Sequence, residues 1–340
     1  MSNCKVAGVN VSDLDVVVPN CHAEERLALL QFKDSFMINK SASINPYPKV
    51  SSWTLNDCCS WDGVECDEHT GHVIGLDLSR SCLYGSFDSN SSLFRLLQLQ
   101  KLNLAYNHFN YSQIPFRVAH FLRLAYLDLS HSVFSGRIPQ SLANLSFLTD
   151  LRLDNCALYE EFPTTIFYLP NLQHLSIGDN QDITGHLPEL HKVVPSRSIP
   201  PSVSNLTQLN FLDLPDNTFT ENGLSGMVEL DVFLKLKNLS VLMLSSNNLY
   251  VLTKTSSNDT LPQFHTLALG SCSLSKFPVF LKNQSNLIWL DLRGKNFQGL
   301  IPKWMYNVSV EALRALFLDG NFLTAFEQTP AVLPWRIVEL

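Results

Sequence analysis

Charge is scarce in this 340-residue chain. Asp, Glu, Lys and Arg make up 16% of it, against roughly 25% in ordinary globular proteins. What charge there is leans acidic, with 24 Lys and Arg against 31 Asp and Glu, a formal net charge of −7. A net acidic chain draws neither nucleic-acid phosphates nor anionic headgroups, so no nucleic-acid partner is expected. No run reaches the ~18 consecutive apolar residues a membrane helix needs, so no membrane insertion by the chain as written is expected. Gly-rich phosphate loops, H-E-x-x-H and G-x-S-x-G are all missing. The ten His are dispersed through turns and strand flanks. Neither enzymatic activity nor a cofactor is expected on these grounds.

Apolar residues are plentiful, at 45%, and leucine alone accounts for 57 positions. That is ample for a core and argues against disorder. Cysteine is clustered: Cys21, Cys58, Cys59 and Cys66 fall together, while Cys4, Cys82, Cys156 and Cys272 are scattered. A disulfide reading implies an oxidising compartment. Zinc is the alternative, because His69 and His72 follow Cys66 closely. The adjacent pair Cys58-Cys59 disfavours zinc, since it cannot reproduce C-x2-C ligand geometry. Asn-x-Ser/Thr sequons occur ten times, at Asn10, Asn39, Asn90, Asn110, Asn144, Asn205, Asn238, Asn258, Asn283 and Asn307. Chance supplies roughly four. The excess points to a secreted glycoprotein whose glycans would solubilise a charge-poor surface. Residues 1–20 read as an atypical tail, because Val16–Val18 is far short of the apolar core of a secretory leader.

The leucines are periodic. The first Leu of successive L-x-L segments falls at Leu76, Leu102, Leu127, Leu151, Leu175, Leu212, Leu242, Leu267, Leu290 and Leu316. The intervals are 26, 25, 24, 24, 37, 30, 25, 23 and 26. Three residues past the second apolar position stands a polar or small residue: Asn107, Ser132, Cys156, Asn180, Asn217, Asn247, Cys272 or Asn321, with Ser81 and Lys295 as departures. An apolar-Pro pair often follows, as in Ile138-Pro139, Phe162-Pro163 and Ile301-Pro302. This is the pattern of a leucine-rich repeat. L-x-L is a short strand with Leu inward and x outward. The amide at the Asn position satisfies backbone groups of the turn and of the next coil. One coil cannot bury its own apolar side, so stacked copies make the core. A helical reading fails, because Gly and Pro would break each helix about every 24 residues.

The domain reading is a tail over 1–20, a cap over 21–71 and an array of about ten repeats over 72–340. The array is irregular at 188–230. The outer half of a coil is intact around Ile199 to Leu209, but its strand half is missing, which predicts a gap or bulge in the sheet. Asn217 and Asn222, five apart, suggest a fused pair of repeats. Leu340, 24 after Leu316, would open the next strand with no C-terminal cap behind it, leaving the last coil poorly stabilised.

Ahead of the array, Ala23 to Phe36 reads as an amphipathic helix with Glu24 and Glu25 favouring its N-terminal dipole. Trp53 and Trp61 flank the Cys pair. The segments CHAEERLALLQFKDSF, DCCSWDGVECDEHTGHVIGLDLS, SCSLSKFPVFLKNQSNLIWLDL and FLTAFEQTPAVLPW resemble the ectodomains of plant leucine-rich-repeat receptor-like proteins, the class that includes disease-resistance receptors. The resemblance covers residues 21–340. It implies an α/β solenoid, a right-handed superhelix with a parallel concave β-sheet and a disulfide-stapled helical cap. It also implies pairing of Cys21 with Cys58 and of Cys59 with Cys66. Family members are cell-surface glycoproteins that bind a peptide or protein ligand in defence or developmental signalling and recruit co-receptor kinases. The leader, final repeats, C-terminal cap and membrane helix of that family are not recognised in this chain. A soluble inhibitor of microbial cell-wall-degrading enzymes and a truncated fragment without function are the alternatives.

The spacing also predicts the recognition face. Outward residues form a central column, Asp77, Asn103, Asp128, Arg152, Ser176, Asp213, Met243, Ala268, Asp291 and Phe317. The preceding column runs from Gly75 and Lys101 through Tyr126, His174 and Phe211 to Trp289 and Ala315. Candidate ligand-binding residues are Lys101, Tyr126, Asp128, Arg152, His174, Phe211, Trp289, Asp291 and Phe317. Exposed Tyr126, Phe211, Trp289 and Phe317 would be the anchors, because aromatic residues dominate interfaces; packing between columns is the competing role. The L-D-L aspartates read chiefly as solvation of the sheet. Asn144, Asn205 and Asn283 each lie seven residues before a strand Leu, so their glycans would leave the concave face open.

Overall fold

A computed structural model describes residues 20–54, 57–186, 203–220, 227–247, 249–252, 261–272, 274, 276–294, 297–328 and 337–339. A cap begins with helix α1 (Ala23–Asp34). It stops two residues short of Phe36, yet Ala28, Leu29, Phe32 and Phe36 are all buried. Cys21 is joined to Cys58 and Cys59 to Cys66, so those sulfurs are not offered to zinc. His72 instead pairs with Glu25 at 3.1 Å. Trp53 and Trp61 stack at 5.0 Å.

One sheet carries the array. Its strands are β1 (Val64–Cys66), β2 (Val73–Asp77), β3 (Lys101–Asn103), β4 (Tyr126–Asp128), β5 (Asp150–Arg152), β6 (His174–Ser176), β7 (Phe211–Asp213), β8 (Val241–Met243), β9 (Thr266–Ala268), β10 (Trp289–Asp291), β11 (Ala315–Phe317) and β12 (Ile337–Glu339). They lie side by side in chain order. Every pair from β2 onward is parallel, but β1 is antiparallel to β2. The cap therefore enters the sheet rather than merely covering its end. Gly63 allows this, with φ +81 and a Cβ position only 2.2 Å from the Asp77 carbonyl oxygen.

Two expectations need correction. The irregular stretch breaks nothing in the sheet: Leu175 of β6 pairs with Leu212 of β7, which pairs with Leu242 of β8. Interrupting a ladder strands backbone donors and acceptors, whereas doubling a loop costs only about 0.6 kcal/mol. The extra length therefore does not separate β6 from β7 in the sheet. Residues 187–202 and Asn222 lie outside the described residues. At the far end, Val338 and not Leu340 stands opposite Leu316. The last interval is thus two residues shorter than the leucine spacing suggests.

On the outer side, short 3-10 turns follow the apolar-Pro pairs. Gln140–Asn144, Val279–Asn283 and Lys303–Asn307 have Pro139, Pro278 and Pro302 at their N-caps. Proline presets the entry angle and gives up only an N–H that has no partner there. Between the turns and the sheet runs one continuous apolar core from Ala28 to Leu318. Its N-terminal part is a phenylalanine stack in which Phe109 lies 4.7 Å from Phe134, 5.6 Å from Phe36 and 6.0 Å from Phe87. The core thereby joins cap and array into one body.

The polar ladder ties coil to coil. Asn107, Ser132, Cys156, Asn180, Asn217, Asn247, Cys272 and Asn321 each donate to the carbonyl of Leu78, Leu104, Leu129, Leu153, Ile177, Leu214, Leu244 and Leu292 respectively. Each target is the second apolar residue of the preceding coil's strand segment. The residue just before the ladder position is left-handed throughout: Tyr106, His131, Asn155, Asp179, Asp216, Ser246 and Ser271 have φ between 50 and 58. That conformation costs a non-glycine residue roughly 1–2 kcal/mol. The ladder hydrogen bonds hold it in place. Burial raises the Cys156 and Cys272 thiols to about 12, so both stay protonated and act as donors.

Candidate functional site

Strand register places the outward residues in the two predicted columns. Lys101, Tyr126, Asp150, His174 and Phe211 stand opposite one another in turn, as do Asn103, Asp128, Arg152, Ser176 and Asp213. Trp289 is 43% exposed. Tyr126 and Phe211 are partly exposed. Phe317 departs from expectation, at 8% exposure. It lies under Trp289, with centroids 4.7 Å apart, and the Arg293 guanidinium sits 5.2 Å from its ring. Phe317 is therefore a support for Trp289 rather than a free anchor.

Two of the aspartates depart from the solvation reading, while Asp77 stays exposed. Asp128 and Asp291 are buried. Asp77, Asn103, Asp128 and Asp291 each accept, through the side chain, the N–H of the residue two positions on: Ser79, Ala105, Ser130 and Arg293, at 2.9–3.0 Å. The short side chain closes the backbone turn where the strand ends. Asp213 cannot do this, because Pro215 stands two positions on and has no N–H. Its Oδ2 accepts from Ser176 Oγ at 2.8 Å, while Oδ1 is buried without a hydrogen-bond partner. Burial pushes the Asp213 carboxyl up to about 6, with Asp154 and Asp179 adding to the rise and Ser176 opposing it.

The sign of the stability effect follows. A carboxyl raised in the folded state binds more protons there than in the unfolded chain. Stability from Asp213 is present at low pH and is lost as pH rises toward and past about 6. Asp213→Asn keeps the oxygen for Ser176 and removes the charge. We expect it to raise the melting temperature at pH 7.5 and to leave it unchanged near pH 4. Equal shifts at both values would show that the ionised carboxylate carries no penalty.

Around Asp213 the face is ionic. Asp154 pairs with His131 at 3.1 Å, His174 with Asp150 at 3.1 Å, and Arg152 with Asp150 at 3.9 Å. Arg152 also sits 5.7 Å from the Tyr126 ring. Tyr126 donates to Asp128 at 3.1 Å. Lys101 pairs with exposed Glu65 at 3.0 Å and helps line a cavity of about 460 Å³ with Gly63, Asn103 and Tyr126. Between this region and Trp289 the columns carry Val241, Met243, Thr266 and Ala268, which have neither charge nor aromatic rings. The candidates thus split into an ionic half and the pair Trp289–Phe317, with Asp291 held by Arg293 at 2.8 Å.

Asp154, Asp213 and Arg293 were not among the sequence candidates. Asp154 and Arg293 belong to a third column, two residues past the central one, that the same spacing locates. Asp213 was in the central column, but only the Pro215 two positions on marks it out.

Seven sequon asparagines, Asn39, Asn90, Asn110, Asn144, Asn238, Asn283 and Asn307, are exposed. Asn144, Asn283 and Asn307 end 3-10 turns on the side away from the sheet. Asn205 lies in the turn Val203–Gln208, and Asn258 is outside the described residues. Among the described residues, no helix is long and apolar enough to cross a membrane.

Comparison with known proteins gives this geometry a context. Residues 22–67 match the leucine rich repeat N-terminal domain, and residues 123–145 match the leucine rich repeat. Receptor-like protein 6 of Arabidopsis thaliana is 34% identical over 275 residues, 57% of this chain and 28% of that protein. Receptor-like protein Cf-9 of Solanum pimpinellifolium is 33% identical over 230 residues, 49% of this chain and 27% of that protein. Among solved structures, the ectodomain of the Arabidopsis receptor kinase HAESA, bound to an N-terminally extended IDA peptide hormone, has a TM-score of 0.68 and 25% identity over 89% of this chain and 46% of that one. PEPR1 with AtPEP1 has a TM-score of 0.57 and 26% identity, over 88% and 45%. The chain spans less than half the length of each.

Proposed function

We propose that this chain, a leucine-rich-repeat relative of the plant receptor-like proteins, is a non-enzymatic recognition ectodomain whose concave face holds a peptide or protein ligand. The observation that carries the reading is the unbroken pair of columns, with exposed Trp289 at one end and an ionic, tyrosine-bearing surface at the other. Several coils contribute side chains to one continuous surface, so a ligand can be read along the array. The solved relatives with bound peptides, HAESA with IDA and PEPR1 with AtPEP1, support a peptide as the ligand class. Placement outside the cell fits the paired cysteines and the exposed sequons. Signalling through a co-receptor kinase is part of the same reading; HAESA has been solved with IDA and the co-receptor SERK1. A role in plant defence or development belongs to the same proposal, by resemblance to the receptor-like proteins.

The test is retention of peptides from a plant extract on the immobilised, disulfide-bonded chain, read by mass spectrometry. Trp289→Ala combined with Arg152→Ala is expected to lower retention at least tenfold, since central aromatic and Arg residues carry most interface energy. Unchanged retention by a folded double variant would place the ligand site elsewhere.

A further inference from the structure

The concave face is not uniform along its length, and its asymmetry specifies a ligand. Asp213 stands in the column where Asp77, Asn103, Asp128 and Asp291 spend an oxygen on the turn two residues on. Pro215 denies it that partner. Asp213 also has no ion-pair partner among the described residues, whereas its neighbour Asp154 has only His131. Asp213 and Asp154 are both only partly buried, share the single Ser176 hydroxyl and have only His131 to offset two carboxylates, a pairing complementary to a cation. At β10 the chemistry changes. Trp289 is exposed and backed by Phe317, a flat apolar platform for a large side chain. Val241, Met243, Thr266 and Ala268 lie between, with no charge to compete and little bulk.

The spacing sets the ligand's register. Three strand intervals separate β7 from β10, about 14 Å at the usual spacing. The offset between columns lengthens the span to about 15 Å. An extended peptide rises ~3.3 Å per residue, so four or five residues cover it.

We propose that the ligand is an extended peptide that places a Lys or Arg at Asp213 and Asp154 and, four or five residues away, a large apolar or aromatic side chain on Trp289. This rests on the concave-face reading above and narrows it to one peptide chemistry. The charge complementarity is local, and the chain's net charge of −7 steers the same kind of partner toward it.

The experiment is selection of a random twelve-residue peptide display library on the intact, disulfide-bonded chain, followed by binding of the recovered peptides to variants. The expected result is enrichment of Lys or Arg paired with Trp, Phe, Tyr or Leu at a separation of four or five. Binding of those peptides should fall at least tenfold with Trp289→Ala. With Asp213→Asn plus Asp154→Asn it should also fall at least tenfold, and its dependence on salt should weaken. Circular dichroism confirms that each variant is folded. Recovered peptides that need Trp289 but show no cation at that spacing, or that ignore the aspartate changes, overturn the proposal and leave the concave-face reading standing. Peptides indifferent to all these changes overturn both, as does a library that returns no binder.

Discussion

Asn180→Ala is expected to lower the unfolding free energy by about 3 kcal/mol, because it strands several buried polar groups at once. The Asn180 amide donates to the carbonyls of Leu153, Ile177 and Gly178 at 2.9–3.1 Å. Its oxygen accepts from the N–H of Cys156 and of Leu158, each at 3.1 Å. No water reaches these groups, since Asn180 is 1% exposed. Loss of the side chain also leaves Asp179 in the left-handed region, φ 57, without the bonds that hold the turn. Urea denaturation measures the effect. Hydrogen exchange locates it, with the Cys156 and Leu158 amides expected to lose protection first. Asn321, only partly buried, serves as the control, and Asn321→Ala should cost less. A loss below about 1 kcal/mol for Asn180→Ala would mean that the ladder is an accompaniment of the fold and not a support for it.

Phe109→Ala is expected to cost about 4 kcal/mol, the range for emptying a fully buried aromatic site. Phe109 is 0% exposed and touches Phe36 from the cap and Phe134 from the next coil. In a stacked array each coil is stabilised chiefly by its neighbours, so a cavity here loosens the junction between cap and array. Fluorescence of Trp53 and Trp61 should then change at lower urea than amide exchange in the coils around β9 and β10. A single coincident transition with an unchanged midpoint would show that the aromatic stack adds nothing to that junction. This cost is expected to exceed that of Asn180→Ala, because a cavity adds to lost apolar transfer.

The architecture was legible because its signal is repeated. Leu76 through Leu316 mark ten strands at a spacing no other fold explains, and the outward residues follow from alternation alone. The ladder residues were legible for the same reason. Their left-handed predecessors were not, since Tyr106, His131 and Ser271 share no residue type that announces positive φ. Spacing failed where length could be hidden. The longer connection between β6 and β7 leaves their register unaltered, yet an interval of 37 looked like a broken sheet. Exposure was the least legible property. Trp289 and Phe317 both occupy outward positions, in neighbouring columns, yet one shields the other.

From sequence alone came the stacked coil, the inward leucines, the polar ladder and the candidate columns, because each is set by a local period that recurs about every two dozen residues. Tertiary structure decided which outward side chains are free. Asp128 is consumed by its own turn, Phe317 is covered by Trp289, and Asp213 is left with unmet hydrogen-bonding capacity because Pro215 lacks an N–H. The difference is physical: a strand's face is fixed by alternation along the chain, whereas what a side chain on that face can still bind depends on neighbours one coil away.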